Sequence, residues 1–314
     1  MIKVIIPIIL ISCLILSCKE DFSTEAKYRE RNVLTCIISP DTSFQAVTLF
    51  RTYRVEGSPN QFTEYPFIDS ADVKMWHDNQ VYQFYDTTLE RQNTGRYIES
   101  AKVYYNNSLK PIGGKYVEVE ALLPNGLLLR AETLVPDVDK ISFQGSSTEI
   151  SSDNKNEIKF IWADEQRVMY DPRFLVVVSN KITHQINTVE IPIKYIVRNS
   201  AEEQVHPSIT SQKSVIYESA VIRKAFQNIS KDDSVKSNYV IMGAYLELMV
   251  LDKYLSTYYS SIENFLDEFT IKVDLPDYTN IDGGFGIFGS YNLIKYNIAV
   301  DKNFIKSFGY GAGF

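Results

Sequence analysis

The sequence is short of the residues that build reactive centres. It has three cysteines and three histidines in 314 residues. His77, His184 and His206 are scattered, and with no HExxH or CxxC pair the spacing of a metal site is missing. No Gly-x-Ser-x-Gly elbow appears either. Basic clusters are also lacking. The 32 Lys and Arg stand against 39 Asp and Glu, a formal charge of −7. That balance disfavours nucleic acid and anionic membrane faces, because neutralising phosphates takes grouped cations. The apolar run from Val4 to Leu16 is 13 residues long, and a bilayer-spanning helix needs about 20. These absences argue against an enzyme, a bound metal or a cofactor.

What is present begins with that run. Residues 1–17, MIKVIIPIILISCLILS, carry one positive charge, Lys3, ahead of the apolar stretch. A short basic start followed by an apolar segment of this length reads as a secretory signal peptide. Ile15-Leu16-Ser17-Cys18 resembles the lipobox of bacterial lipoproteins, in which the cysteine is diacylated on its sulfur and becomes the new N-terminus. Acyl chains then anchor the protein, each buried methylene contributing about 0.8 kcal/mol. Cys13 also follows a small residue, Ser12, but cleavage there would leave Leu14-Ile15-Leu16 at the mature start. Lys19-Glu20-Asp21 resembles the export signal of surface lipoproteins in the Bacteroidota. The expectation is a lipid attachment site at Cys18, a surface-export signal at Lys19, Glu20 and Asp21, and a polar tether over 18–28.

Removal of residues 1–17 leaves 297 residues and a charge of −8, enough for two domains at roughly 150 residues each. Only Cys36 then remains as a thiol, so no intramolecular disulfide forms and core burial must hold the fold. Cys36 itself, in VLTCIIS, reads as a buried strand residue. Twenty-one tyrosines and 17 phenylalanines suit pleated, half-buried surfaces.

Strand-like segments follow from Arg31: NVLTCIIS, FQAVTLFRTY, ADVKMWHD, QVYQFYD and RYIES. In GGKYVEVEALLPNGLLLRAETLVPD, Val117, Val119, Ala121 and Leu123 alternate with Tyr116, Glu118 and Glu120, which predicts a strand with one buried face. Pro124-Asn125-Gly126 supplies a turn, and LLLRAETLV returns as the second arm of a hairpin. Residues 29–137 are therefore expected to form an immunoglobulin- or fibronectin-like sandwich. A boundary near 138 leads to a second β-rich domain, 138–314. Its strands are IKFIWAD, RFLVVVSN and VEIPIKYIV, and a polar stretch, RNSAEEQVHPSITSQKS, interrupts them. SVIYESAVIRKAFQNI fits helix or strand, and NYVIMGAYLELMVL fits a central strand, although its length leaves a buried helix open, so residues 214–250 are undecided between the two. A helix is expected near 252–269, where Tyr254, Tyr258 and Ile262 fall at helical spacing behind Asp252 as N-cap.

Gly284-x-Gly286-x-x-Gly289 matches the dinucleotide fingerprint in letters. It lacks the preceding strand, the following helix and room for a βαβ unit. It reads instead as a glycine-rich turn pressing Phe285, Ile287 and Phe288 against the fold. Asp232-Asp233 and Glu202-Glu203 are neighbours in polar loops, where adjacent side chains on an extended chain point apart. Trp76 and exposed-face tyrosines have the chemistry to stack on a sugar ring, although in β-rich folds such residues more often pack.

SCKEDF, GGKYVEVEALLPNGLLLRAETLVP and YTNIDGGFGIFGSY together resemble the domain of unknown function 4249 family of outer-membrane lipoproteins in the Bacteroidota. The likeness covers residues 31 to about 291, with Asn125 where many members carry aspartate. Members are often encoded beside TonB-dependent receptors. The resemblance therefore implies a non-enzymatic surface lipoprotein assisting such a receptor in nutrient uptake, with no catalytic residues to carry over. A stand-alone adhesin or glycan-binding module is the alternative.

Overall fold

A computed structural model describes residues 30–52, 66–90, 100–145, 149–154, 156–166, 168–198, 200–231, 233–263 and 278–314. The signal segment, the tether with Cys18, Lys19, Glu20 and Asp21, residues 96–99 of RYIES, Asp232, and the expected helix beyond 263 lie outside them.

The chain is mainly β with a minority of helix. Seven strands come first: β1 (Asn32–Ile38), β2 (Gln45–Arg51), β3 (Asp72–His77), β4 (Gln80–Leu89), β5 (Ala101–Asn106), β6 (Tyr116–Leu122) and β7 (Leu128–Leu134). Period-two alternation shapes them. Leu34, Cys36 and Ile38 of β1, Val47 and Leu49 of β2, and Val73 and Met75 of β3 are all buried in one core. Val117, Val119 and Ala121 of β6 meet them there. Each fully buried aliphatic side chain contributes roughly 1.5–3 kcal/mol. β4 serves two partners. Its first half, Gln80–Phe84, pairs with β3, and its second half, Tyr85–Leu89, pairs with β5. The sheet thus folds across β4 into two layers over one core, a sandwich-like arrangement. The β6–β7 hairpin is the one expected: Leu123 N–H donates to Leu127 O at 2.8 Å, and Gly126 takes a φ of 84°, which glycine tolerates without strain.

Beyond a 3-10 turn at Val138–Lys140 follow β8 (Ser142–Gly145), β9 (Glu149–Ile150), β10 (Glu157–Ala163), β11 (Tyr170–Asn180) and β12 (Ile186–Glu190). The segment VEIPIKYIV is two strands rather than one, because Pro192 offers no N–H to a ladder. It resumes as β13 (Lys194–Arg198). The polar stretch after it holds β14 (Ala201–Val205), hairpinned to β13. SVIYESAVIRKAFQNI is both of its alternatives in turn, β15 (Ser214–Glu218) and helix α1 (Ser219–Gln227). β16 (Tyr239–Leu251) is central, paired with β11 on one side and with β17 (Phe285–Val300) on the other. Helix α2 (Lys253–Glu263) stands between β16 and β17, and α3 (Lys302–Ser307) and β18 (Gly311–Ala312) close the chain. A second core gathers Phe160, Phe174, Tyr217, Phe226, Leu246 and Phe304.

The glycine-rich segment corrects the expectation of a turn. Gly283 and Gly284 do turn, but from Phe285 the segment is strand, with Phe285–Ser290 parallel to β1. Tyr291–Ile298 then run antiparallel to β16. One strand therefore joins both cores, and its Phe288 is buried in the first. Gly286 has a φ of 110°, and a Cβ there would lie 2.0 Å from Leu34 O. The glycine admits the close approach of two backbones, a use of glycine that local sequence confuses with a turn.

Candidate functional site

Three features have the residue types of a site. The first is a buried polar cluster where β7, β17 and α2 meet. Asp252 caps α2, as its position predicts, by accepting Leu255 N–H at 2.7 Å. Its other oxygen takes the Thr133 hydroxyl. The Thr133 and Ser290 hydroxyls lie 2.9 Å apart. Burial pushes the Asp252 carboxyl up to about 6, against the hydrogen bonds from Thr133 and the backbone that lower it. A shifted carboxyl suits a hydrolase acid, but Thr133, Ser290 and Asp252 are all buried. The cluster has structural work, tying the first sheet to the second half of the chain.

The second is a furrow of about 380 Å³ lined by Glu118, Glu120, Glu132, Asp282 and Arg130 among others. Glu118 and Glu132 are directly opposed across β6 and β7. Arg130 is engaged by Glu120 at 2.6 Å. An acid and a base need unlike environments, whereas Glu118 and Glu132 are both exposed to solvent. Among the described residues no group of three or more His, Cys, Asp or Glu is arranged to hold a metal.

The third lies where β4 passes from one layer to the other. A cleft of about 600 Å³ opens over Gln80, Gln83, Tyr85, Tyr105, Asn106 and Asn107. None of the residues lining it is charged. Tyr85 and Tyr105 are directly opposed on β4 and β5, which puts their Cβ atoms about 5 Å apart on one face. Tyr85 is 63% exposed. Phe44, in the loop before β2, stacks on Tyr105 with centroids 5.8 Å apart and 21° between planes, and extends the aromatic row. Asn106 forms the corner. Its Nδ2 donates to Gln83 O at 2.8 Å, replacing a ladder bond where β5 ends, and its Oδ1 accepts from Ser108 and Leu109. Gln83 Nε2 donates to Asp72 Oδ1 at 3.0 Å. No described residue hydrogen-bonds Gln83 Oε1 or the Asn107 side chain.

Of the residues weighed from sequence, Trp76 is half-buried on β3, opposite Val81. His77 is buried, its Nδ1 2.9 Å from Tyr116 O while Ile112 N–H donates to Nε2 at 3.1 Å. That pattern fits a neutral imidazole with the proton on Nδ1. His206 lies 3.2 Å from Glu190, and His184 is exposed. Glu202 pairs with Lys224 and Glu203 with Arg198. Sequence reasoning named tyrosines as a class but missed which ones meet, and missed Phe44 and the amides. The available signal was the uncharged run QVYQFY.

No protein-family model matches the chain, and no curated protein matches it. Among solved structures it is similar to a pullulanase complexed with maltotriose from Anoxybacillus sp. LM18-11, at 10% identity and a TM-score of 0.19. That match covers 69% of this chain and only 24% of the pullulanase chain. A likeness at that score fixes neither fold nor function.

Proposed function

We propose that the chain is a non-enzymatic lipoprotein, held in the outer membrane by acylated Cys18 and facing the cell exterior. There it captures a nutrient for a TonB-dependent receptor. The address rests on Leu16-Ser17-Cys18 and on Lys19-Glu20-Asp21. A tether of a dozen or so residues separates Cys18 from β1 (Asn32–Ile38). The observation that carries the capture half is the uncharged cleft on β4 and β5, which offers ring faces and amides and has no carboxylate or histidine in its lining. Among the described residues no helix is long and apolar enough to cross a membrane. A stand-alone adhesin or glycan-binding module shares the anchor and would use the same aromatic row of Phe44, Tyr105 and Tyr85.

Native purification from gently solubilised outer membranes separates the two. A β-barrel receptor recovered in near-equal amount supports the accessory role. The lipoprotein alone, in detergent that preserves known complexes, supports the stand-alone module. The anchor is tested by acyl-chain labelling, which Cys18→Ala should abolish. Protease added to intact cells should remove the protein, and protection until lysis would overturn surface display.

A further inference from the structure

We propose that the β4–β5 cleft is a saccharide subsite that takes an uncharged oligosaccharide, its sugar rings lying on Tyr85 and Tyr105 and its hydroxyls bonded by Gln83 and Asn107. The inference deepens the capture half of the function above and does not depend on the anchor or the receptor. Four observations meet at this place. Two tyrosine rings sit opposite each other on neighbouring strands, and a stacked phenylalanine continues the row. Aromatic faces carry partial negative charge and attract the slightly positive C–H edges of a sugar ring. The polar groups are amides, which both donate and accept, matching hydroxyls that do the same. Gln83 Oε1 and the Asn107 amide have no described protein partner, while Asn106 is held at both its oxygen and its nitrogen and fixes the corner.

Charge decides the class. The chain is 23% charged, yet none of the nine residues lining this cleft is. Phosphates, sulfates, uronic acids and basic peptides would all enter without a counter-charge. A neutral ligand pays no such desolvation penalty. The volume, about 600 Å³, falls within the roughly 300–1,000 Å³ range of ligand sites, so the cleft holds a few sugar units and a longer chain can run out at either end. A protein partner would need the larger dry apolar centre typical of such interfaces, and here amides interrupt the aromatic row.

The test uses the full mature protein in detergent micelles. Neutral oligosaccharides of several linkages are titrated calorimetrically, with uronic-acid and sulfated oligosaccharides as controls. At least one neutral oligosaccharide should bind and the charged ones should not. Tyr85→Ala and Tyr105→Ala should each weaken binding at least about tenfold. Tyr85→Phe should keep most of the affinity, because the ring face does the work. Tyr85 is largely exposed, so its variants should melt with the wild type. Their melting curves are recorded first, and Asn107→Ala is a second exposed variant that should weaken binding without touching the fold. Neutral-sugar binding unchanged in Tyr85→Ala and Asn107→Ala would overturn the site. Binding only by charged oligosaccharides, or by none, would overturn the ligand class. In either case recovery with a receptor from membranes would leave the capture function standing.

Discussion

The hydroxyl of Thr133, on β7, donates to the carboxylate of Asp252, 119 residues further along the chain. The same carboxylate caps α2 through Leu255 N–H, and the Asp252 N–H donates to Ser290 O at 2.8 Å. A hairpin strand, a helix start and the strand shared by both cores are thereby fastened at one buried acid.

That acid makes stability depend on pH. Folded, the Asp252 carboxyl titrates at about 6, whereas an unfolded aspartate ionises near about 3.9. Between these values the folded chain holds a proton that the unfolded chain has lost. Stability from this group is therefore full below about pH 4 and falls as pH rises through about 6. The cost above pH 6 is on the order of 2–3 kcal/mol. Asp252→Asn keeps a good cap and removes the titration. Urea midpoints measured from pH 4 to 8 should be flatter in the variant, with a gain at the alkaline end. An unchanged slope would mean that other groups set the pH response.

Cys36 should be inert in the native protein. It is 1% exposed, and burial without a charged partner pushes its thiol above the ordinary range. The thiolate is the reacting form, so alkylation mapped to Cys36 by mass spectrometry should be slow in buffer and rapid in denaturant. Fast labelling of the folded chain would show that the β1–β2 layer opens readily.

The features legible in the sequence were local ones. Residues 116–134 spell out their hairpin because both the alternation and the turn lie within one segment. Asp252 announces its helix for the same reason. The β1–β17 pairing left no such sign, since Val33 meets Phe285 across most of the chain and parallel strands need no turn between them. Its glycines then imitated a loop. The cleft was half visible. Tyrosines are plain in the sequence, but register decides which face outward. Tyr104 is buried, bonded to Ile68 O at 2.6 Å, while its neighbour Tyr105 lines the cleft.

Gly286 is where the shared strand is most exacting. Its φ of 110° is closed to side chains, and the Cβ would collide with Leu34 O. Backbone on both sides of the clash cannot move without breaking the β1–β17 ladder. Gly286→Ala should lower stability by at least about 3 kcal/mol. Gly243→Ala, in β16, meets nothing within 4 Å and should cost little. Equal urea midpoints for the two variants would refute the assigned role.

Asn280 completes the same strand on the edge away from β1, beyond the stretch that β16 pairs. Its Oδ1 accepts Phe288 N–H at 2.9 Å, and its Nδ2 donates to Phe288 O at 2.7 Å. A side-chain amide thus imitates the backbone of a missing neighbour, while Cys36 occupies the register position on the other side of Phe288. Asn280→Ala leaves a donor and an acceptor unpaired beside a buried ring, at a cost of about 2–4 kcal/mol. Asn280→Asp keeps the acceptor and sets a carboxylate oxygen against Phe288 O, so it should be no better than alanine although it is the closer in shape. Hydrogen exchange at Phe288 N–H reads the contact directly: protection should fall in both variants, while protection in β6 changes less. If Phe288 N–H exchanged as slowly in Asn280→Ala as in the wild type, the amide would not be the partner of Phe288, and the Phe285–Ser290 stretch of β17 would be held by its pairing with β1 alone.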